Sequence, residues 1–292
     1  MRPALAAWGF VLPALVVIGV FFVGPALAAF GLSLTDYDLY ALADPANLRF
    51  VGLDNYAALL RRPLFWQALG NTLYFVAVGV PLSIAVSLVA ALLLNSRLAR
   101  FQPFFRTALF APVVTTVVAV AVIWRYLFHT DYGLVNYGLA ALGVNPVDWL
   151  GDPRFAMPTI IGFAVWKNFG YNMIILLAGL QAIPQELYEA ARIDGASRWR
   201  RFRHVTLPML GPVLLVVAIL TTAGYFQLFA EPYVMTEGGP LQSTVSVLYL
   251  MYEDGFKWWD FGTASAVAFL LFVLMLAATV ALLWAARRRQ VV

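Results

Sequence analysis

The chain contains no cysteine, and it is poor in the residues from which most catalytic and metal sites are built. Without cysteine it forms neither disulfides nor cysteine-ligated metal sites. Its two lysines, Lys167 and Lys257, do not occur in the G-x-x-x-x-G-K-S/T pattern of a phosphate-binding loop, so ATP hydrolysis through such a site is not expected. Its two histidines, His129 and His204, belong to segments assigned below to opposite sides of a membrane, which excludes a histidine-pair metal site. We therefore predict no catalytic residue, no metal site and no cofactor bound by this chain.

Charged side chains are scarce as well. Only 12% of the 292 residues are charged and 62% are hydrophobic, whereas a soluble domain has about 25% charged residues. The apolar residues fall in blocks of roughly 20 or more, which is long enough for a helix to cross a bilayer. The sequence predicts an all-α membrane protein of one domain over residues 1–292, with six transmembrane helices. The predicted spans are Leu5–Leu34, Leu69–Leu94, Phe104–Phe128, Met157–Ala182, Met209–Ala230 and Gly262–Ala286.

The distribution of arginine and lysine predicts the orientation of these spans. With the N-terminus inside, the cytoplasmic segments hold twelve basic residues and the outer segments hold five, the asymmetry that membrane proteins show. The inner residues are Arg2, Arg97, Arg100, Arg106, Arg192, Arg198, Arg200, Arg201, Arg203, Arg287, Arg288 and Arg289. The net charge of +4 therefore reflects membrane orientation, and no nucleic-acid partner is predicted. We expect a multi-pass protein of a bacterial or archaeal cytoplasmic membrane with both termini inside.

The first span has an alternative interpretation as a cleaved signal peptide. Ala26-Leu27-Ala28 resembles a cleavage site, but the apolar stretch before it is far longer than the usual 7–15 residues. We predict a retained span, and cleavage would leave the orientation of the other five unchanged.

A polar, basic stretch between the fourth and fifth spans, about residues 183–208, carries the most specific pattern in the chain. Its first helix is expected to begin near Pro184 and to end at Gly195, which permits the left-handed backbone of a helix C-terminus. Ser197 is expected to cap a second helix over Arg198–His204, and Pro208 to stop that helix. The defining residues are Glu189-Ala190-Ala191, then Gly195, then Val205-Thr206-Leu207-Pro208.

This spacing resembles the signature of the permease subunits of binding-protein-dependent ABC importers, with Val205 in place of the usual isoleucine. The residues that lead into it, Leu180 to Tyr188, resemble the carbohydrate-uptake branch. The resemblance implies a type I importer fold and a loop, the coupling helix, that docks on an ATPase subunit. The coupling residues it implies are Glu186, Glu189, Ala190, Ala191, Asp194, Gly195, Leu207 and Pro208. The alternative is a basic amphipathic helix that lies on anionic lipid.

The outer loops support the same resemblance. Thr35-Asp36-Tyr37-Asp38 and the run from Phe50 to Tyr56 are similar to the first member of the usual permease pair in this family. The loop over residues 129–155 is expected to be irregular. The aromatic residues of the last outer loop form either an interfacial belt or a docking surface for a binding protein, and the sequence leaves both open. These residues are Tyr249, Tyr252, Phe256, Trp258, Trp259 and Phe261.

Polar residues within the spans are candidates for a substrate path. Lys167 is about ten residues into the fourth span, near mid-depth at roughly 1.5 Å per residue, and a charge at that depth usually faces a cavity or a partner. The alternative for each polar residue is an interhelical hydrogen bond. The spacing of Tyr225, Gln227 and Glu231 does not place all three on one helix face. The full candidate set is Lys167, Asn168, Tyr171, Asn172, Tyr225, Gln227 and Glu231.

The resemblance implies transport by alternating access together with several partners. These are a second permease subunit, two copies of a cytoplasmic ATPase that uses ATP and Mg²⁺, and an external solute-binding protein that delivers a sugar. The substrate class stays open between a mono- or oligosaccharide and a glycerol-phosphate ester. An ion-driven secondary transporter would show paired intramembrane acids or broken half-helices in matching halves, and the sequence reveals neither. A membrane scaffold without transport would not need Lys167 at mid-depth.

The predicted orientation can be tested by labelling single cysteines in this cysteine-free chain. Ser197→Cys should be labelled only after the cells are permeabilised, because the arginine-rich loop is expected inside. Gly239→Cys should be labelled by an impermeant maleimide in intact cells. Labelling of Ser197→Cys in intact cells would contradict the orientation of every span.

Overall fold

The structure is a computed structural model that describes residues 3–96 and 101–288. Over these residues the chain is helical, without a β-strand, and Thr35 and Phe50 form an isolated antiparallel bridge. Four arginines of the orientation argument, Arg2, Arg97, Arg100 and Arg289, lie outside the described residues. The all-α fold predicted from the sequence is confirmed.

The helices follow one another with short connections. The α-helices are α1 Pro3–Ile18, α2 Gly24–Ser33, α3 Leu39–Ala43, α4 Asp54–Arg61, α5 Pro63–Leu94, α6 Gln102–Val114, α7 Val117–Leu127, α8 Leu134–Ala141, α9 Pro153–Gln181, α10 Gln185–Ile193, α11 Arg198–Arg201, α12 Leu207–Met209, α13 Gly211–Phe226, α14 Ala230–Met235, α15 Val247–Tyr252 and α16 Phe261–Arg288. A 3₁₀ turn covers Pro45–Asn47, and π-helical segments cover Gly19–Val23, Phe202–Thr206 and Glu253–Lys257.

Four of the predicted spans are single helical stretches long and apolar enough to cross a membrane. They cover Phe10–Ser33, Pro63–Leu94, Pro153–Gln181 and Phe261–Arg288. The other two predicted spans are bent helix pairs, and counting each pair as one span gives six.

The third predicted span, Phe104–Phe128, is wrong as a continuous helix. Helix α6 ends at Val114, α7 begins at Val117, and the two are bent by 96°. Pro112 removes a backbone donor in the last turn of α6, and the backbone of Thr115 is extended. The Thr115 hydroxyl donates to the Pro112 carbonyl at 2.7 Å, which satisfies one of the acceptors that the break frees.

The fifth predicted span, Met209–Ala230, also differs. Pro208 does not stop the preceding helix, which continues through the π-helical segment to Met209. The bend of 67° falls instead between Arg198–Met209 and Gly211–Phe226. The span then ends at Phe226, four residues before the predicted end.

The chain divides into two compact units. The first contains the chain up to Trp66 together with Leu250–Phe272, and the second contains Gln67–Tyr249 together with the chain from Val273. The expectation of one domain therefore remains a prediction.

In the first unit, an ion pair joins two segments far apart in sequence. One nitrogen of Arg62 donates to both carboxylate oxygens of Asp254, each at 2.9 Å. Burial raises the pKa of the Asp254 carboxyl, and the hydrogen bonds and charge of Arg62 act in the opposite direction. Nearby, the Asn55 amide donates to the carbonyls of Ser33 and Thr35, which fixes the end of α2 against α4. Phe256 and Trp258 of the aromatic loop are exposed, so both interpretations of that loop stay open.

In the second unit, helix α9 is the central element. In the most apolar window of α9, 67% of the residues are buried inside the chain. The half near Pro153 packs in a cluster with residues of α5 and α7, and the half near Gln181 packs in a second cluster that includes Leu210 and Val217. The Ser87 hydroxyl of α5 donates to the Phe169 carbonyl of α9 at 3.0 Å.

The loop over residues 129–155 is more ordered than predicted. It contains α8, and the buried side chain of Asn136 organises it. The Asn136 amide nitrogen donates to the carbonyls of Thr130 and Val147, and its oxygen accepts from the Trp149 indole at 2.9 Å. Such cross-loop hydrogen bonds leave no periodic pattern in a sequence.

Helices α6 and α9 approach each other closely at Gly170. A Cβ at this position would lie 2.5 Å from the Leu109 carbonyl oxygen and 3.1 Å from the Phe110 Cα, so a larger residue would meet backbone that cannot rotate away. At Gly162, on the same helix, a Cβ would meet nothing within 4 Å.

We therefore expect Gly170→Ala to destabilise the protein by about 1–3 kcal/mol through overpacking. Gly162→Ala is the matched control and should be neutral or stabilising by up to about 1 kcal/mol, because alanine favours helix. Thermal unfolding of both variants in detergent checks this. Equal melting temperatures for the two variants would contradict the close approach at Gly170.

Candidate functional site

A cavity of about 530 Å³ lies within the second unit, between α9 and the ends of α6, α13 and α14. Its volume is within the range of small-molecule sites, about 300–1,000 Å³. All seven residues named from the sequence as candidates for a substrate path line it: Lys167, Asn168, Tyr171, Asn172, Tyr225, Gln227 and Glu231. Their part in transport stays a prediction.

Lys167 meets the backbone at the break between α6 and α7. Its amine donates to the Val113 carbonyl at 3.0 Å, and the side chain is buried. This carbonyl lies in the last turn of α6, where acceptors lack partners within the helix and the helix dipole is negative. Lys167 therefore caps an interrupted helix and also lines the cavity.

Among the described residues that line the cavity, one side chain is cationic and one is anionic. Glu231 lies at the start of α14, and it interacts electrostatically with Lys167. The ammonium group has three donors and the carboxylate only acceptors. Because Val113 takes one donor of Lys167, the pair can still offer both hydrogen-bond donors and acceptors to a bound molecule.

Asn172 joins three helices at the wall of the cavity. Its amide nitrogen donates to the Thr221 hydroxyl of α13 at 2.9 Å and approaches the Ser83 hydroxyl of α5 at 3.4 Å. The side chain is 4% exposed. These contacts give Asn172 the interhelical role that the sequence left as its alternative.

The expectation that Tyr225, Gln227 and Glu231 diverge was correct for a helix, but the chain is not helical throughout this segment. Helix α13 ends at Phe226, and Gln227 and Phe229 have non-helical backbone angles before α14 begins at Ala230. The turn directs all three polar residues to one cavity. Helical spacing therefore does not apply across residues 227–229.

The fit of Tyr225 depends on residues that the sequence analysis missed. Its ring stacks on Phe75 with centroids 5.0 Å apart. A Cβ at Gly79 would lie 2.6 Å from the Tyr225 ring, so glycine makes room for it. Its hydroxyl lies beside the Ser83 side chain. In the sequence, Gly79 follows Phe75 by four residues within a span, and this spacing was the signal for a space beside the Phe75 ring.

The predicted coupling loop begins three residues after the cavity helix. Helix α9 ends at Gln181 and α10 begins at Gln185, with Pro184 as its N-cap. The C-terminus of α10 forms the motif expected at Gly195: the Gly195 amide donates to Arg192, and the Ala196 amide donates to Ala191. Gly195 has φ +71°, a left-handed conformation, and open space around its Cα.

The residues of α10 named from the sequence are accessible. Glu186, Glu189, Ala190, Asp194 and Gly195 are exposed, and Ala191 is half-buried. Further along, Leu207 and Pro208 are exposed. The Ser197 hydroxyl accepts from the Arg200 amide, so the predicted cap of the second helix is confirmed. The two helices are joined by the Tyr188 and Thr206 hydroxyls, 3.0 Å apart.

Arg125, in the last turn of α7, anchors the end of that helix. Its guanidinium contacts the Glu237 carboxylate at 3.3 Å and the Val234 carbonyl at 3.4 Å. Glu237 belongs to the turn that follows α14, which has positive φ at Glu237 and Gly238. This contact joins α7 to the turn that follows α14.

Curated relatives of similar length match the chain from end to end. The lactose transport system permease protein LacF of Rhizobium radiobacter is 39% identical over 288 residues, which cover 97% of this chain and 94% of that protein. The trehalose/maltose transport system permease protein MalF of Thermococcus litoralis is 39% identical over 289 residues, 99% and 96% of the two chains.

A solved structure shares the fold. A chain of a bacterial ABC transporter involved in the import of the acidic polysaccharide alginate superposes with a TM-score of 0.80 at 23% identity, covering 97% of this chain and 95% of that one. This likeness concerns the fold alone.

The family described as "binding-protein-dependent transport system inner membrane component" matches residues 79–291, which contain the described lining residues of the cavity apart from Phe75, and the predicted coupling loop. The helices, the signature and the relatives therefore agree, and the chain belongs to the family of inner-membrane permease components of binding-protein-dependent ABC transport systems.

Proposed function

We propose that this chain is the permease subunit through which a carbohydrate crosses the membrane, and that the cavity beside Lys167 is part of the path. The observation that carries the proposal is the position of the cavity: the helix that supplies four of its polar residues, α9, leads within three residues into the signature loop. Relatives named for lactose, trehalose/maltose and arabinooligosaccharide transport support a sugar.

The lining suits a sugar because it contains both polar and aromatic side chains. Hydroxyl groups of a sugar both donate and accept hydrogen bonds, and Lys167, Asn168 and Gln227 can pair with them. The ring of Tyr171 offers a flat surface to the C–H face of a pyranose. Tyr171 is 49% exposed, so its side chain is accessible to a ligand or to a neighbouring subunit.

Coupling to ATP hydrolysis follows from the connection between α9 and α10. We propose that a second permease completes the path, that two copies of a cytoplasmic ATPase bind the α10 loop, and that an external binding protein delivers the solute. ATP and Mg²⁺ are used by the ATPase, and this chain holds no cofactor. Alternating access requires α10 to distinguish two states of the ATPase. With this assignment, α10 and both termini face the cytoplasm.

A glycerol-phosphate ester is the second candidate substrate, and the charges of the cavity disfavour it. A phosphate ester would need an excess of positive charge, but Glu231 offsets Lys167 and no other charged residue is among the described lining residues. Uptake by the reconstituted four-component system tests the proposal, with radiolabelled lactose, maltose, trehalose and glycerol 3-phosphate as substrates. ATP-dependent uptake of the phosphate ester but of no sugar would contradict it.

Lys167 both lines the cavity and donates to the Val113 carbonyl, so its substitution should affect both transport and stability. Lys167→Met should reduce sugar uptake at least tenfold, because the cavity loses its cation. The Val113 carbonyl loses its partner, at a cost of about 1–3 kcal/mol, which should lower thermal stability without preventing assembly. Asn168→Ala is the stability control on the same helix: among the described residues, the Asn168 amide donates only to Ala164 of its own turn, so the stability of this variant should change less.

Uptake assays and the yield of assembled complex separate the outcomes for Lys167→Met. Normal uptake would remove Lys167 from the path. Loss of the complex, with uptake per complex unchanged, would show that its role is structural only.

The α10 loop gives a second prediction. Gly195→Val should strain the turn by about 1 kcal/mol or more because of its positive φ, although a Cβ there meets no neighbour. Ala190→Trp should obstruct the docking surface, and Glu189→Lys should place a positive charge on it. All three should lose ATPase subunit on purification, or keep it without stimulation by loaded binding protein.

Gly195→Asn is the matched control, because asparagine tolerates the left-handed conformation better than valine does. Binding-protein-stimulated ATP hydrolysis in the reconstituted complex, with ATPase content on a gel, is the measurement. Full stimulation in all three variants would exclude a coupling role for this loop.

A further inference from the structure

The segment after the turn at Gly195 differs in charge from α10. Helix α10 carries the carboxylates Glu186 and Glu189, whereas the segment Arg198–Met209, which we call the basic segment, carries none. No aspartate or glutamate occurs between Asp194 and Glu231. The arginines of the basic segment are Arg198, Arg200, Arg201 and Arg203.

These arginines have no carboxylate partner in the part of the chain that the structure describes: no ion pair within 4.0 Å involves them. In one of these arginines, a hydrogen-bond donor also lacks a partner within the described chain. The Nε atom of Arg201 is buried and has no hydrogen-bond partner among the described residues. A buried donor without a partner costs free energy, and no group within the described chain holds this guanidinium in place.

Apolar side chains are exposed on the same segment. Trp199 is 66% exposed and lies against Phe202, with ring centroids 5.4 Å apart. Leu207 and Met209 are exposed as well. Exposed tryptophan beside arginine is typical of helices that lie in the interface between lipid headgroups and acyl chains.

The geometry brings the basic segment toward that interface. It is bent by 67° from α13, the apolar helix that follows it directly. If α13 crosses the bilayer, the axis of the basic segment is therefore oriented more nearly along the membrane plane than along the membrane normal. Its arginines come to the level of the lipid phosphates, and guanidinium groups bind phosphate through paired hydrogen bonds.

We propose that the basic segment is a binding site for an anionic phospholipid, whose phosphate accepts hydrogen bonds from Arg201 and Arg198 and whose acyl chains contact Trp199. The signature loop is then divided by function: α10 faces the protein partner, and the basic segment holds the loop at the membrane surface. This proposal depends only on the chain spanning a membrane, and it is independent of the transported solute.

The first test measures lipid retention by native mass spectrometry. The assembled transporter is purified from nanodiscs that contain phosphatidylcholine with or without phosphatidylglycerol. The doubly substituted variant R198Q/R201Q should retain less phosphatidylglycerol, by about fivefold for each arginine removed, the factor that corresponds to roughly 1 kcal/mol per basic residue at an anionic surface. Arg106→Gln is the control and should retain phosphatidylglycerol normally; Arg106 is an exposed arginine of α6 that forms no ion pair with the described residues.

A second measurement does not depend on the folding of the arginine variants. The fluorescence of Trp199, taken as wild type minus Trp199→Phe, should be quenched more strongly by brominated phosphatidylglycerol than by brominated phosphatidylcholine. Added inorganic phosphate should not reverse this preference, because the acyl chains hold the headgroup in place.

Three results would overturn the proposal. Equal quenching by the two lipids together with equal retention in R198Q/R201Q would exclude a specific lipid site. Reversal by inorganic phosphate would indicate a site for free anions. Loss of quenching when the partner ATPase binds would assign the basic segment to the protein interface.

Discussion

The structure depends on one constraint of the bilayer: a backbone carbonyl in its apolar interior must find a donor within the protein. The break between α6 and α7 frees the Val113 carbonyl, and the Lys167 amine supplies the donor. The break is tolerated where it is because it adjoins a cavity and a buried cation. The same contact brings a charged group into the wall of the cavity, so the interrupted helix and the polar site have a common origin.

The central position of α9 connects that site to the rest of the protein. It carries Lys167 and Asn172, packs against α6 at Gly170, and leads into α10 after three residues. A helix packed this closely transmits a displacement along its length because its neighbours leave little room to deform. Movement at the cavity and movement of the signature loop are therefore linked by a single covalent element.

Features that depend on local sequence were predictable. The four unbroken spans follow from composition alone, and the end of α10 at Gly195 follows from the conformational freedom of glycine. Features set by contacts across the fold were not. Proline within a span is usually tolerated in a bundle, so Pro112 did not predict the break at Thr115. The ion pair between Arg62 and Asp254 joins residues 192 positions apart in the sequence, and no short-range pattern indicates it.

The cavity could be predicted in part. Its polar residues were recognisable in the sequence as polar groups within the spans, but their convergence on one cavity depends on the turn at Gln227.

The central claim is that the cavity beside α9 is a solvent-accessible path for a sugar, and a single cysteine at Tyr171 tests it most directly. Tyr171→Cys in the otherwise cysteine-free chain should react with a small water-soluble maleimide in the reconstituted complex, and sugar with ATP should slow the reaction. Val216→Cys, at an exposed position of α13 outside the cavity lining, should react only with a lipid-soluble reagent. Failure of Tyr171→Cys to react with the water-soluble reagent in any nucleotide state, or a rate unaffected by sugar, would contradict the account.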